Sequence, residues 1–171
     1  NNGIISKLSE KQSHYIKNVM RLKIGDKFSL FNSKDGEWDA NITKHGKIYT
    51  EFEVEKLSRP LIDEKNLWLA FSIIKKIPQD IMIQKTTELG IQKFIPLLCE
   101  RSIVREININ RAEKIITEAS EQSNRISVPK ILDKQNLEDF IKNFPKNGCI
   151  IFCDINSNSN YIKKKILKKS P

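Results

Sequence analysis

Near residue 60 the spacing of apolar side chains changes from one period to another, and no single regular fold satisfies both. Before that point the pattern alternates. Trp38, Ala40 and Ile42 are separated by polar residues, and Ile48, Thr50, Phe52 and Val54 share a face opposite Tyr49, Glu51, Glu53 and Glu55. A period of two marks strands with one face buried and one face wet. After that point Leu67 to Ile74 is a near-continuous apolar run, the pattern of a parallel strand covered on both sides. Pro60 to Lys65 separates the two regimes. The expected architecture is therefore a two-domain α/β chain, with a small β-barrel over 1–62 and a parallel α/β domain over 66–171.

Local signals place the elements. Ser9 and Gln12 have capping-box spacing and start a helix through about Leu22, with Tyr15, Ile16, Val19 and Met20 as its apolar stripe. Strands follow over Phe28–Phe31 and around Trp38–Ile42, with turns at Asp35-Gly36 and near Gly46. In the second half, Pro78 suits the first turn of a helix that stops at Gly90, and Phe94–Leu98 is the next strand. Asn110, with Glu113 at the capping-box position, is expected to start a helix to about Ile126. Further elements are a helix over Asn136–Phe144, a strand over Cys149–Asp154 and a helix over Asn160–Lys169. A parallel sheet that closes on a helix and Ser170-Pro171, with no strand after it, reads as unfinished.

The charge balance is basic, with 30 Lys and Arg against 21 Asp and Glu. The excess lies mainly after residue 65, where 18 basic face 11 acidic residues, compared with 12 and 10 before it. Five of those lysines are Lys163, Lys164, Lys165, Lys168 and Lys169. Such a surface suits a polyanion, because neutralised phosphates release counterions. Three cysteines in apolar runs (Cys99, Cys149, Cys153) fit a reducing compartment and a cytoplasmic protein, not a disulfide framework. His14 and His45 lie too far from them to suggest a metal site, so no metal is expected. No apolar run approaches membrane-spanning length, and with six glycines there is no phosphate loop or dinucleotide fingerprint.

Two polar stretches interrupt the α/β half. The first is Gln84-Lys85-Thr86-Thr87-Glu88-Leu89-Gly90, followed by Ile95-Pro96 and Arg101-Ser102. Glu88 sits in a last helical turn, where the dipole disfavours an acid, so a cation such as Lys85 or Arg101 should favour it. Arg101 follows the carboxyl end of a strand, the edge where α/β sheets bind ligands. The second stretch puts Glu118, Gln122 and Arg125 at i, i+4 and i+7, one polar stripe whose plain reading is a solvated helix face.

These runs resemble a known family. Gln84 to Ile91, Ile95-Pro96, Arg101-Ser102, then Glu118-Ala119-Ser120-Glu121-Gln122-Ser123 with Arg125 and Pro129, are similar to the 16S ribosomal RNA uridine-1498 N3-methyltransferases. His14 through Val19-Met20-Arg21, with Gly25-Asp26, resembles that family's N-terminal signature, with Met20 in place of a leucine. The resemblance implies a PUA-like RNA-binding barrel and a SPOUT-type α/β domain that threads a knot around S-adenosylmethionine. It implies a 16S ribosomal RNA and small-subunit partner, and a homodimer. The family's donor motifs, Gly-Pro-Glu-Gly-Gly and a later Leu-Gly…Ile-Leu-Arg run, are not found in these residues. No cofactor-binding residue is therefore expected here, and the donor site is expected beyond Pro171. By this reading residues 66–171 are an incomplete SPOUT domain, and the 171 residues are expected to be inactive alone and to bind the donor weakly or not at all.

N3 of uridine lies on the Watson–Crick edge and carries a proton, so the base must be splayed out and the developing anion stabilised. Arg101, Arg125 and Glu88 are the catalytic candidates, the arginines for phosphate or uracil carbonyls and the glutamate for orientation. His14, Lys17 and Arg21, with Arg101 and Arg125, are the expected RNA contacts. The alternatives are a non-catalytic RNA-binding protein and a nucleotide-binding α/β enzyme of another class.

Overall fold

A computed structural model of the protein describes residues 3–62 and 66–153. It divides into two compact units, 1–137 and 138–171. In the first, β1 (Ile5–Lys7), β2 (Lys27–Asn32), β3 (Gly36–His45) and β4 (Thr50–Arg59) form an antiparallel sheet in the order β1-β4-β3-β2. Three register shifts between β3 and β4 bend this sheet. They keep Ala40 and Ile42 inside with Leu8, Ile16 and Phe52, and this cluster is the core of the N-terminal domain.

Helix α1 (Glu10–His14) starts at Ser9 with both halves of the expected capping box, Ser9 to the Gln12 amide and Gln12 back to the Ser9 amide. It continues as a π turn, Tyr15–Val19, in which the Met20 amide reaches the Tyr15 carbonyl, and Arg21 then leaves the helix at φ +57°. The helix is thus shorter than the apolar stripe suggests. Buried Ser13 ties it to β4, accepting from the Thr50 amide at 2.8 Å and donating to the Leu8 carbonyl at 3.3 Å. His45 holds the far end, with Nε2 3.0 Å from the Leu22 carbonyl and Nδ1 3.0 Å from Thr50 Oγ1. A carbonyl only accepts, so Nε2 carries the proton. At the β2–β3 turn Gly36 has φ +84°, and any Cβ there would lie 2.5 Å from the Arg59 carbonyl.

The second sheet is parallel. Strand β6 (Lys93–Leu98) pairs on one side with β5 (Trp68–Ser72) and on the other with two short strands, β7 (Lys130–Ile131) and β8 (Gln135–Asn136). Pro96, which has no N–H, falls in the gap between the β7 and β8 pairings, where no ladder bond is lost. Helices α2 (Lys76–Glu88) and α3 (Ile109–Gln122) are the crossovers. Their Ile83, Ala112 and Ile116 pack with Phe71, Ile91 and Phe94 as the second core.

Three expectations need correction. The cap of α3 is Asn108, whose Oδ1 accepts from the Arg111 amide at 2.9 Å, so Asn110 lies inside the helix and Glu113 makes no capping box. The helix also stops at Gln122, short of Ile126. Residues 149–153 are not a strand: they pair with no ladder among the described residues, and Ile150, Ile151 and Phe152 are exposed. Helix α4 (Leu137–Lys142), which enters the second unit at Glu138, forms within the expected span, and Phe140 meets Phe144 edge to face at 5.6 Å. Asp154, the expected 160–169 helix with its lysines, and Ser170-Pro171 lie outside the described residues. The expectation of a sheet left unfinished at Pro171 therefore falls outside them too.

Ser13→Ala should leave the buried Thr50 N–H without its acceptor. We expect a loss of about 1–3 kcal/mol in urea unfolding, with the slope unchanged. A loss under about half a kilocalorie per mole would show that α1 is held by its apolar stripe alone.

Candidate functional site

The carboxyl edge of the parallel sheet is built by a tight turn. Ser102 N–H donates to the Cys99 carbonyl at 3.0 Å, Ser102 Oγ accepts from the Cys99 amide at 3.2 Å, and Ser72 Oγ lies 3.0 Å from Ser102 Oγ. Ser72 ends β5 and Cys99 follows β6, so this network locks the turn onto the ends of both strands. Arg101 rides on it, exposed and without a hydrogen-bond or ion-pair partner among the described residues. A guanidinium held this way has its five donors available to a ligand. Ser72 was missed by sequence reasoning, since a single serine at the end of an apolar run carries no signal.

The helix ends carry the other polar stretch. At the end of α2, Gly90 has φ +101°, with its amide on the Thr87 carbonyl and the Ile91 amide on the Thr86 carbonyl, a Schellman motif. The end of α3 repeats it with asparagine. Asn124 has φ +58° and bonds Glu121, and the Arg125 amide reaches Ser120 at 2.9 Å. Arg125 then sends its side chain to the end of α2, with Nη1 donating to the Thr87 carbonyl and, at 3.1 Å, to the Ile91 carbonyl. Nη2 donates to Ser127 Oγ at 2.8 Å. This places a cation on the negative end of α2, adding a charged donor to the Thr87 carbonyl, which also accepts from the Gly90 amide, and bonding the Ile91 carbonyl just past the helix.

Arg125 is therefore not the third member of a helical stripe. It lies beyond the helix, half-buried, and joins two helix ends. The other two members stay on an exposed face, where Glu118 meets Lys114 at 3.7 Å, with both side chains mostly in solvent. Glu88 is balanced by Lys85, whose Nζ lies 3.0 and 2.9 Å from its two oxygens, and not by Arg101. Thr87 is fully buried and its hydroxyl has no hydrogen-bond partner among the described residues.

On the N-terminal domain, His14 on α1, Lys17 on the π turn and Arg21 just past it are exposed, and their side chains make no hydrogen bond or ion pair among the described residues. A cleft of about 1120 Å³ runs between this helix and α2–α3, lined by Lys11, Tyr15, Met20, Ile81, Gln84 and Gln122, among others. On its wall Arg111 Nε and Nη2 donate to Asp80 Oδ2 at 3.0 and 2.8 Å. The hydrogen bond and charge of Asp80 push the guanidinium pKa further above its ordinary value. The structure does not bring the candidates into one cluster. Arg101 lies at the carboxyl edge of the sheet, Arg125 and Glu88 at the opposite ends of the helices, and His14, Lys17 and Arg21 on the other domain.

An antiparallel β domain followed by a parallel α/β domain with an exposed guanidinium at its carboxyl edge makes this a two-domain α/β protein. The model of an RNA methyltransferase domain matches residues 63–170, and that of an RNA methyltransferase PUA domain matches residues 8–55. The chain belongs to this RNA methyltransferase family.

Among its relatives is a ribosomal RNA small subunit methyltransferase E from Rickettsia conorii. It is 36% identical over 141 residues, covering 82% of this chain and 58% of the relative. The protein of that name from Synechocystis is 31% identical, with 79% and 45% covered. The chain thus spans about half to three-fifths of the length of these relatives. The Neisseria gonorrhoeae protein of that name, solved bound to S-adenosyl methionine, superimposes with a TM-score of 0.73 at 26% identity, covering 85% of this chain and 63% of that one. A Legionella pneumophila protein solved with bound SAM shares the fold, with a TM-score of 0.76 at 24% identity, covering 86% and 64%.

Arg125→Ala should act on stability. Removing the clamp leaves buried carbonyls without their charged donor, and we expect a loss of about 2–3 kcal/mol by denaturant unfolding. RNA affinity per folded molecule should stay within about twofold. A normal melting temperature with lost RNA affinity would instead return Arg125 to the substrate.

Proposed function

We propose that the protein is an S-adenosylmethionine-dependent methyltransferase acting on N3 of a uridine, position 1498, in 16S ribosomal RNA. The match of the family models to both halves of the chain carries the reading, and the names of the relatives support the small ribosomal subunit as partner. The same proposal divides the chain into an RNA-binding PUA-like domain over 1–62 and a methyltransferase domain over 66–171. It also includes a cytoplasmic location and a homodimer.

S-adenosylmethionine, when bound, supplies an electrophilic methyl group. The side chains gathered at the carboxyl edge, Ser72, Ser102 and Arg101, suit an anion or a uracil carbonyl and do not fit an adenine ring. We therefore assign none of the described residues to the donor, and the proposal keeps its site beyond Pro171, where the family resemblance puts it.

The residues present act on the RNA. His14, Lys17 and Arg21 are donors free to meet phosphates, and their anchoring through Ser13 and His45 keeps them in register. Arg101 offers a bidentate fork to a uracil carbonyl or a neighbouring phosphate. Placed at the carbonyl, it would stabilise the charge that develops as the N3 proton leaves. Glu88 is held in an ion pair with Lys85 and is not assigned that proton. Arg125 holds the helix ends and acts only by position.

In the complete protein, Arg101→Ala should lower turnover about a hundredfold, since one transition-state contact typically contributes on the order of 3 kcal/mol. Its melting temperature should hold, because exposed substitutions stay within about 0.5 kcal/mol. RNA binding should weaken with salt at a slope of roughly 0.7–0.9 per neutralised phosphate. Full turnover in the variant, or salt-independent binding, would contradict this assignment.

A further inference from the structure

Arg59 ends β4 and reaches out of its own sheet. Its Nε pairs with Glu37, its register partner on β3. Its other two nitrogens both go to Asn124. Nη1 donates to the Asn124 carbonyl at 3.1 Å and Nη2 to its Oδ1 at 2.9 Å. Asn124 is the left-handed residue that closes α3, so its side chain and carbonyl are both fixed. Four residues on, the Val128 amide donates to Ser33 Oγ at 2.9 Å, in the turn between β2 and β3. The N-terminal domain therefore grips residues 124–128 at two points. Between those points, Arg125 ties the same segment to the end of α2. A planar guanidinium bonded to a carboxylate on one side and to both oxygens of one asparagine on the other has a single geometry available.

We propose that Arg59 is a positioning residue for RNA: by holding Asn124 it fixes the N-terminal domain relative to the α/β domain, so that one RNA strand meets His14, Lys17 and Arg21 together with Arg101. This rests on the RNA methyltransferase reading. Arg59 itself stays away from the reacting edge. As a crossover, α3 runs back along the sheet for 14 residues, so Asn124 lies at the amino edge, roughly 20 Å from the carboxyl edge at 1.5 Å per residue. Two binding surfaces on one rigid body capture a spanning ligand at high effective concentration, and a loosened joint lowers that concentration.

The seam has its own reporter, the Val128 amide, whose acceptor belongs to the other domain. In the complete protein, Arg59→Ala should speed hydrogen exchange at Val128 about tenfold or more, with Phe94 and Ile95 in β6 unchanged. The dissociation constant of an RNA long enough to span both surfaces should rise about tenfold, and that of a short oligonucleotide covering only one should stay the same. Arg59→Lys keeps a charge for Glu37 but cannot fork onto Asn124, so it should fall between. Unchanged exchange at Val128 would overturn the proposal. So would faster exchange throughout β6, or equal effects on long and short RNA. A wild-type protein that methylates no RNA would overturn the methyltransferase reading instead, while Val128 exchange and the two dissociation constants would still decide the role of Arg59.

Discussion

An α-helix ends with carbonyls that have no partner inside it, and the α/β half of this protein is organised around one segment that closes α3 through its own backbone and sends a side chain to the closing turn of α2. Arg125 leaves the closing turn of α3 and caps the closing turn of α2. Both helices are thereby fixed over β6, with Ile83, Ala112 and Ile116 against Phe94. The same segment is the footing of the N-terminal domain, through Asn124 and Val128. One stretch of five residues thus sets helix against helix and domain against domain. The carboxyl edge of the sheet, with Arg101 on its serine-locked turn, lies at the other end of the same strands.

How much of this the sequence discloses depends on the range of each interaction. Signals confined to four or five residues read correctly, as in the Ser9–Gln12 capping box and the glycine that ends α2. Signals with two equivalent solutions mislead. Asn108 and Asn110 both suit a cap, and it is Asn108 whose side chain accepts from the Arg111 amide. Ser123-Asn124-Arg125 continues a polar helical pattern, yet Asn124 takes the left-handed conformation that asparagine tolerates better than most residues, and the helix ends early. The strands β7 and β8 are two residues each and have no period to detect. They exist because β6 offers an edge.

The candidate site divides in the same way. The position of Arg101 is legible because a polar residue after an apolar strand falls at the carboxyl edge of a parallel sheet. The exposure of His14 and Lys17 is legible from their polarity, but of the expected apolar stripe only Ile16 is buried, and Tyr15, Val19 and Met20 are exposed. The role of Arg125 is not legible, because its partners are carbonyls of residues 87 and 91, and backbone acceptors have no sequence signature. Arg59 is invisible for a related reason: its partner lies 65 residues away in another domain.

The account's central claim is the atom that receives the methyl group, and one measurement tests it most directly. Small-subunit ribosomal RNA is incubated with the complete protein and labelled S-adenosylmethionine, digested to nucleosides, and analysed by mass spectrometry against synthetic standards. The account predicts a single labelled product, N3-methyluridine, traceable to one uridine. Label on C5, on a ribose hydroxyl or on another base would contradict it, as would an RNA that binds tightly and gains no label.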